Sequence, residues 1–262
     1  MADMTGEDIA RQARQHLESL KVCGIEWLPI GAPPVREIGI AKRQMAPAPP
    51  SLFEPPAVAR VIVQQNPEQR RIELKLLAEQ VSTCTRCPEL VSTRRQTVFG
   101  VGPMDPELLF IGEAPGADED RLGEPFVGAA GQLLNRIIAA CGLQREEVYI
   151  CNVIKCRPPG NRTPRPEEAA NCREYLDRQL ELVRPKYICC LGGTAALHLL
   201  GVPSLARLRG RFHDYKGIPL MCTYHPAFLL PHRQPAKKKD VWEDMQMLLK
   251  RMGREIPKPK SQ

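Results

Sequence analysis

No apolar run in this 262-residue chain approaches the ~20 residues that a membrane-spanning helix needs; stretches such as Leu-Leu-Phe-Ile at 108–111 are far shorter. The first residues, MADMTGEDIARQ, lack the basic start and apolar stretch of a secretory leader and carry acids instead. A soluble, cytoplasmic protein without membrane contact is expected. Without a secretory context the ten cysteines are expected as reduced thiols. That excludes a small disulfide-stapled scaffold and favours metal or catalytic use for any cysteine outside the core. No oligomerisation signal occurs, so a monomer is expected.

What is present divides the chain unevenly. Ten of the 37 Lys and Arg and ten of the 30 Asp and Glu fall in residues 1–80, so the whole excess of +7 lies beyond them. Its densest part runs from Lys237 to Lys260, which fits either a polyanionic partner or a solvated basic tail. Eight prolines between Pro29 and Pro56 leave no room for a compact element and read as a linker. Residues 6–21 before it have Ile9, Ala13, Leu17 and Leu20 on one helical stripe. Residues 1–65 are therefore expected as a largely disordered extension with one short helix, whose possible protein partner the sequence leaves open.

From Asn66 to residue 262 the pattern is that of one folded domain. An Asn-Pro start opens a helix with Ile72, Leu76 and Val81 on its apolar face. Short apolar strands (108–111, 148–156, 186–191, 219–223) then alternate with helices (129–143, 166–183, 194–201, 240–252). This predicts an α/β fold of three layers, αβα, around a central, mostly parallel sheet. Loops after the carboxyl ends of such strands carry function. Those loops are GEAPGADED, the stretch from Asn152 to Asn161, Gly-Gly-Thr at 192–194 and TYHPAFL.

Five cysteines, Cys141, Cys151, Cys189, Cys190 and Cys222, fall in apolar elements and read as small buried hydrophobes. Four others stand beside chain-bending signals. Cys84 and Cys87 form C-x-x-C before a proline, Cys156 ends a strand in KCRPPGNRTP, and Cys172 lies in the helix after it. Such a set closes tetrahedrally around zinc or an iron-sulfur cluster, and spacing alone leaves the two undecided. Among other polar candidates, Asn152 in an apolar strand has a functional role or a structural hydrogen bond, His225 before Pro226 is functional or a turn residue, and His198 reads as packing. Phe126, between Pro125 and Val-Gly, is poorly placed for core.

GEAPGADED (112–120), EPFVGAAGQLL (124–134), NVIKCRPPGNRTP (152–164), LRGRFH (208–213) and TYHPAFLL (223–230) resemble, in order, the signature segments of the iron-sulfur uracil-DNA glycosylases of type 4. The resemblance runs from about Cys84 to Leu249 and leaves residues 1–65 outside it. It implies a glycosylase that flips uracil out of single- or double-stranded DNA and hydrolyses its N-glycosidic bond without a covalent intermediate, leaving an abasic site. Phe126 would be the stacking platform, Asn152 the reader of the uracil edge, and His225 the donor to uracil O2. The backbone of Glu113, Ala114 and Pro115 would line the pocket. Cys84, Cys87, Cys156 and Cys172 would hold a 4Fe-4S cluster, with zinc as the alternative metal.

In the best known relatives an aspartate stands where this chain has Ala114. The resemblance points instead to Glu119 as the residue that orients the attacking water, with Asn161 assisting. Phosphate contacts are expected from the amides of Gly192, Gly193 and Thr194 and from Arg162, Arg209 and Arg211, with Leu229 or Leu230 wedging into the stack. A neighbouring branch crosslinks to DNA through a histidine in a basic loop, and GNRTPRPEE has none. A zinc-containing nucleic-acid-binding protein would need the cysteines and the basic excess but not Phe126, Asn152 and His225. An iron-sulfur electron carrier is the remaining reading, and it would want an exposed cluster.

Overall fold

Leu108 to Ile111 are buried at every position, which requires cover on both faces of the strand they form. The computed structural model describes residues 66–257, so the expected helix at 6–21 and the proline-rich linker lie outside the described residues. In chain order the elements are α1 (Pro67–Ser82), α2 (Pro88–Thr93), β1 (Leu108–Gly112), α3 (Ala117–Leu122), α4 (Ala129–Ala140), β2 (Tyr149–Asn152), α5 (Pro166–Val183), β3 (Tyr187–Leu191), α6 (Gly193–Leu200), α7 (Leu205–Leu208), β4 (Phe212–Tyr215), β5 (Ile218–Thr223) and α8 (Lys238–Arg251). The sheet order is β2-β1-β3-β5-β4. All neighbours pair in parallel except β4, which runs antiparallel to β5 at the edge.

Alternation along each strand divides the core between two faces. Leu109, Ile111, Cys151, Ile188, Cys190, Leu220 and Cys222 pack under Leu90 of α2, Leu176 and Leu180 of α5, Ala195 and Leu199 of α6 and Leu208 of α7. Leu108, Phe110, Ile150, Cys189 and Met221 pack under Leu133, Leu134 and Ile138 of α4 and Val241, Met245 and Leu248 of α8. This is the three-layer arrangement that the strand and helix pattern predicts. The strand cysteines are fully buried, as expected of small hydrophobes.

Three local expectations change. The Asn66 cap forms as expected, with its side chain accepting from Glu68 N and Gln69 returning a bond to Asn66 N. The buried face of α1 is nevertheless Arg70, Leu77 and Val81, while Ile72 and Leu76 are 54% and 51% exposed. The Arg70 guanidinium sets this rotation by donating to Leu182 O at the end of α5 and to Asp105. The strand expected at 148–156 ends at Asn152, because Val153 N and Ile154 N turn to the carbonyls of Gly112 and Glu113. β4 is the missed strand: Phe-His-Asp-Tyr at an edge is only partly buried and shows no apolar run.

Candidate active site

With β1, β2, β3 and β5 parallel, their carboxyl ends gather at one edge of the sheet, where a cleft of about 530 Å³ opens. Its lining includes Glu113, Ala114 and Pro115 after β1, Asn152 at the end of β2, His225 after β5, and Phe126, Asn161, Arg162, Phe228 and Arg233. Asn152 is buried, and its Oδ1 has no hydrogen-bond partner. Phe126 holds its ring there from a left-handed backbone (φ 55°). Two glycines make this possible. A Cβ on Gly112 would lie 2.4 Å from Asn152 Oδ1 and 2.5 Å from Phe126 Cζ, and one on Gly131 would lie 1.9 Å from Phe126 O. The bare strand end thus admits Phe126 and Asn152 side by side, and the first turn of α4 seats against the Phe126 peptide.

His225 packs beside Phe126 in the cleft wall, ring centroids 5.5 Å apart. Its Nδ1 accepts from Ala227 N at 3.1 Å, so in the neutral ring the proton is on Nε2. Burial, reinforced by the nearby charge of Arg233, pushes the imidazole pKa down to about 4. His225 is therefore a neutral donor at physiological pH.

The two carboxylates of the first loop have different surroundings. Glu119 accepts from Gly116 N (3.0 Å) through Oε2 and from Val127 N and Gly128 N (2.9 Å each) through Oε1. Three of its four acceptor positions are thereby spent joining the start of α3 to the start of α4. That geometry makes it a brace of the loop that carries Phe126, on the wall of the same cleft. Glu113 lines the cleft, with the Thr194 side chain at the start of α6 nearby. Burial pushes its carboxyl above the usual range, with Thr194 opposing. Asn161 lies exposed on the cleft wall in a left-handed turn, its Oδ1 accepting from Arg157 Nε at 2.7 Å.

Residues 99–246 match the uracil DNA glycosylase superfamily. The chain belongs to that superfamily. It is 42% identical over 176 residues to the type-4 uracil-DNA glycosylase of Thermotoga maritima, covering 66% of this chain and 91% of that protein. Over 190 residues it is 40% identical to the type-4 enzyme of Archaeoglobus fulgidus, covering 69% and 94%. The type-4 enzyme of Pyrobaculum aerophilum is also 40% identical, over 187 residues, covering 67% and 93%. The type-4 resemblance of the five motifs agrees with these matches.

In this uracil-DNA glycosylase superfamily member, several of the residues expected to contact phosphates are committed elsewhere. Arg209 donates to Asp244 Oδ2 (2.7 Å), to Asp240 Oδ2 (3.2 Å) and to the carbonyl of Asp240 (2.7 Å), and lies over the Tyr224 ring. Arg162 forms a two-pronged bond to Glu168 (2.6 and 2.9 Å) and reaches Glu89. Both arginines hold elements together, so their charge is neutralised within the fold. Arg211 is exposed, its guanidinium donating to Arg207 O, and the amides of Gly193 and Thr194 stand at the start of α6. Leu229 is 0% exposed and part of the core, which removes it as a wedge. Its neighbour Phe228 is 36% exposed on the cleft lip, stacked on Tyr224 at 5.2 Å. A ring flanked by His-Pro and two leucines reads as core, and only the turn after β5 reveals that it points out.

Cys84, Cys87, Cys156 and Cys172 are free thiols. They are electrostatic neighbours: Cys84 and Cys87 both act on Cys156, and Cys156 and Cys87 on Cys172. Among the described residues no three Cys, His, Asp or Glu side chains form a closed metal site. Donor groups reach two of the four sulfurs, while burial pushes the thiols of Cys156 and Cys172 up. Arg94 donates to Cys156 Sγ (2.9 Å) and to the carbonyl of Cys84 (2.7 Å), and Asn171 Nδ2 to Cys87 Sγ (3.5 Å). Arg94 lies outside every motif that the sequence singles out. No described helix is long and apolar enough to cross a membrane.

Proposed function

We propose that this protein is a monofunctional uracil-DNA glycosylase that hydrolyses the bond between a flipped uracil and its deoxyribose and leaves an abasic site for base excision repair. The observation that carries this reading is the buried Asn152 amide, its acceptor uncommitted at the base of a cleft walled by Phe126. A buried acceptor left unpaired costs about 1–3 kcal/mol, which a ligand N–H recovers. An amide offers one acceptor and two donor hydrogens, matching N3–H and O4 of uracil; cytosine presents the reverse pattern and is refused.

Phe126 supplies the stacking face. The neutral His225 donates from Nε2 to uracil O2, and this bond strengthens as the departing base gains negative charge, which lowers the barrier instead of merely tightening the ground state. Glu113 takes the role of positioning the attacking water. Its carboxyl lines the cleft beside Thr194, whereas Glu119 is engaged by three backbone amides. Water adds at C1′, the C1′–N1 bond breaks with its electron pair leaving on uracil, and the water proton passes to the Glu113 carboxylate. Phe228 on the lip stacks on or enters the helix beside the extruded nucleotide.

The donor set of Cys84, Cys87, Cys156 and Cys172, with N–H groups aimed at two of the sulfurs, fits a 4Fe-4S cluster. When bound, the cluster supplies a structural tie between the segment before α2 and the segment from β2 to α5. Hydrolysis of a glycosidic bond transfers no electron, so these residues act on the cleft only by fixing its walls.

The deciding experiment is cleavage of a single-uracil oligonucleotide, followed by alkali to reveal abasic sites, with cytosine and thymine controls and iron and sulfide analysis of the same anaerobic preparation. Abasic product from uracil alone, with iron and sulfide present, is the expected result. A zinc-containing protein that binds DNA and releases no uracil would overturn both parts.

A further inference from the structure

Lys155 is fully buried, and nothing in the reaction above uses it. Its ammonium donates to the main-chain carbonyl of Asn152 at 2.9 Å and to Gln179 Oε1 at 2.6 Å, and lies over the Phe99 ring. Gln179, on α5, is fixed in turn by donating to Phe99 O and Tyr149 Oη, each at 2.9 Å.

The reason for a lysine here lies in the sheet. β2 is an outer strand. On its free side Val101 exchanges two hydrogen bonds with Ile150, and this isolated bridge is not continued. Two residues on, the Asn152 carbonyl turns to the same side by the pleat, where it would be a buried acceptor without a partner. An ammonium with three donors and no acceptor fills that place, and α5 steadies it through Gln179. On the inner side Val153 N donates to Gly112 O at 2.9 Å. The peptide unit between Asn152 and Val153 is thus held at both of its polar atoms, and its plane fixes where the Asn152 side chain can point.

We propose that Lys155 is a positioning residue of the uracil site, locking the Asn152 peptide so that the side-chain amide meets the base edge. The inference rests on the reading of Asn152 as the residue that recognises uracil.

The test measures the inhibition constant of free uracil, KM and kcat for a uracil oligonucleotide, and affinity for abasic-site DNA. It uses Lys155→Met, Asn152→Ala and the double variant, each checked by thermal melting. Lys155→Met should raise the uracil inhibition constant about tenfold, as the loss of one well-aligned hydrogen bond does, while abasic-DNA affinity holds. In the Asn152→Ala background the same change should add nothing to that constant, because Lys155 acts through Asn152. An additive loss there, or an unchanged constant in Lys155→Met, overturns the proposal. Should Lys155→Met not fold, Gln179→Met carries the same test, with a smaller rise that also vanishes in the Asn152→Ala background; an unchanged constant overturns the proposal equally. If Asn152→Ala itself leaves uracil inhibition unchanged, the reading of the cleft fails and this inference with it. If only Lys155→Met is silent, the reading stands and the inference alone falls.

Discussion

The ring of Phe126 stands 5.5 Å from that of His225, tilted by 33°, so the stacking platform and the donor form adjoining walls of one cleft. Replacing Phe126 by Leu keeps the apolar bulk and removes the π face. Stacking of a base on an aromatic side chain contributes about 1–3 kcal/mol, so KM for a uracil oligonucleotide should rise roughly tenfold with kcat less affected. Steady-state kinetics check this, and an unchanged KM would remove Phe126 as the platform.

The two loop carboxylates separate by substitution. Glu113→Gln should slow single-turnover cleavage by about 10²–10⁴, the usual contribution of a positioned base, while free uracil still binds. Glu119→Gln replaces a carboxylate that accepts three backbone amides and should lower stability by about 1–3 kcal/mol, read as a lower melting temperature. Loss of chemistry in Glu119→Gln at full stability, beside an active Glu113→Gln, would reverse the two assignments.

A pH effect follows from His225. Its folded pKa of about 4 lies below the ~6.5 of a free imidazole, so between these values the unfolded chain takes up the proton first. This contribution to stability is complete above about pH 6.5 and is lost as pH falls towards 4. Melting curves at pH 7 and pH 5 should therefore show a larger drop for the natural protein than for His225→Gln, which has no imidazole to protonate. Equal drops would show that His225 is not held neutral by its surroundings.

Leu229 and Phe228, adjacent in sequence, should respond in opposite ways. Leu229→Ala opens a cavity in the core and should cost about 2–5 kcal/mol of stability. Phe228→Ala should leave melting nearly unchanged and lower cleavage of uracil in duplex DNA. A silent Phe228→Ala would mean that the lip does not touch the helix.

The layers of the fold are legible in the sequence because periodicity reports burial directly: Leu108 and Phe110 face one side of the sheet, Leu109 and Ile111 the other. Residues that owe their place to the direction of a turn are not legible. Leu229, expected to wedge into the base stack, is core, and its neighbour Phe228 lies exposed one residue step away after β5. The acids that occupy Arg209 lie 31 and 35 residues downstream on α8, beyond any local motif. Glu119 reads as a free carboxylate until the chain returns at Val127 and Gly128 to present its amides. β4 is hidden because a half-buried edge strand needs no run of apolar residues.

The central position of β1 has a consequence for how the molecule forms. Leu108 pairs with Tyr187, 79 residues away, and β3 in turn waits for β5. A sheet built from such distant partners has a high contact order and is expected to fold in milliseconds to seconds, far more slowly than a helical bundle of its size. During synthesis the chain therefore carries Phe126 for 99 residues and Asn152 for 73 before His225 emerges to meet them. An early, incomplete chain holds the means to stack a base and read its edge before the donor that completes its release.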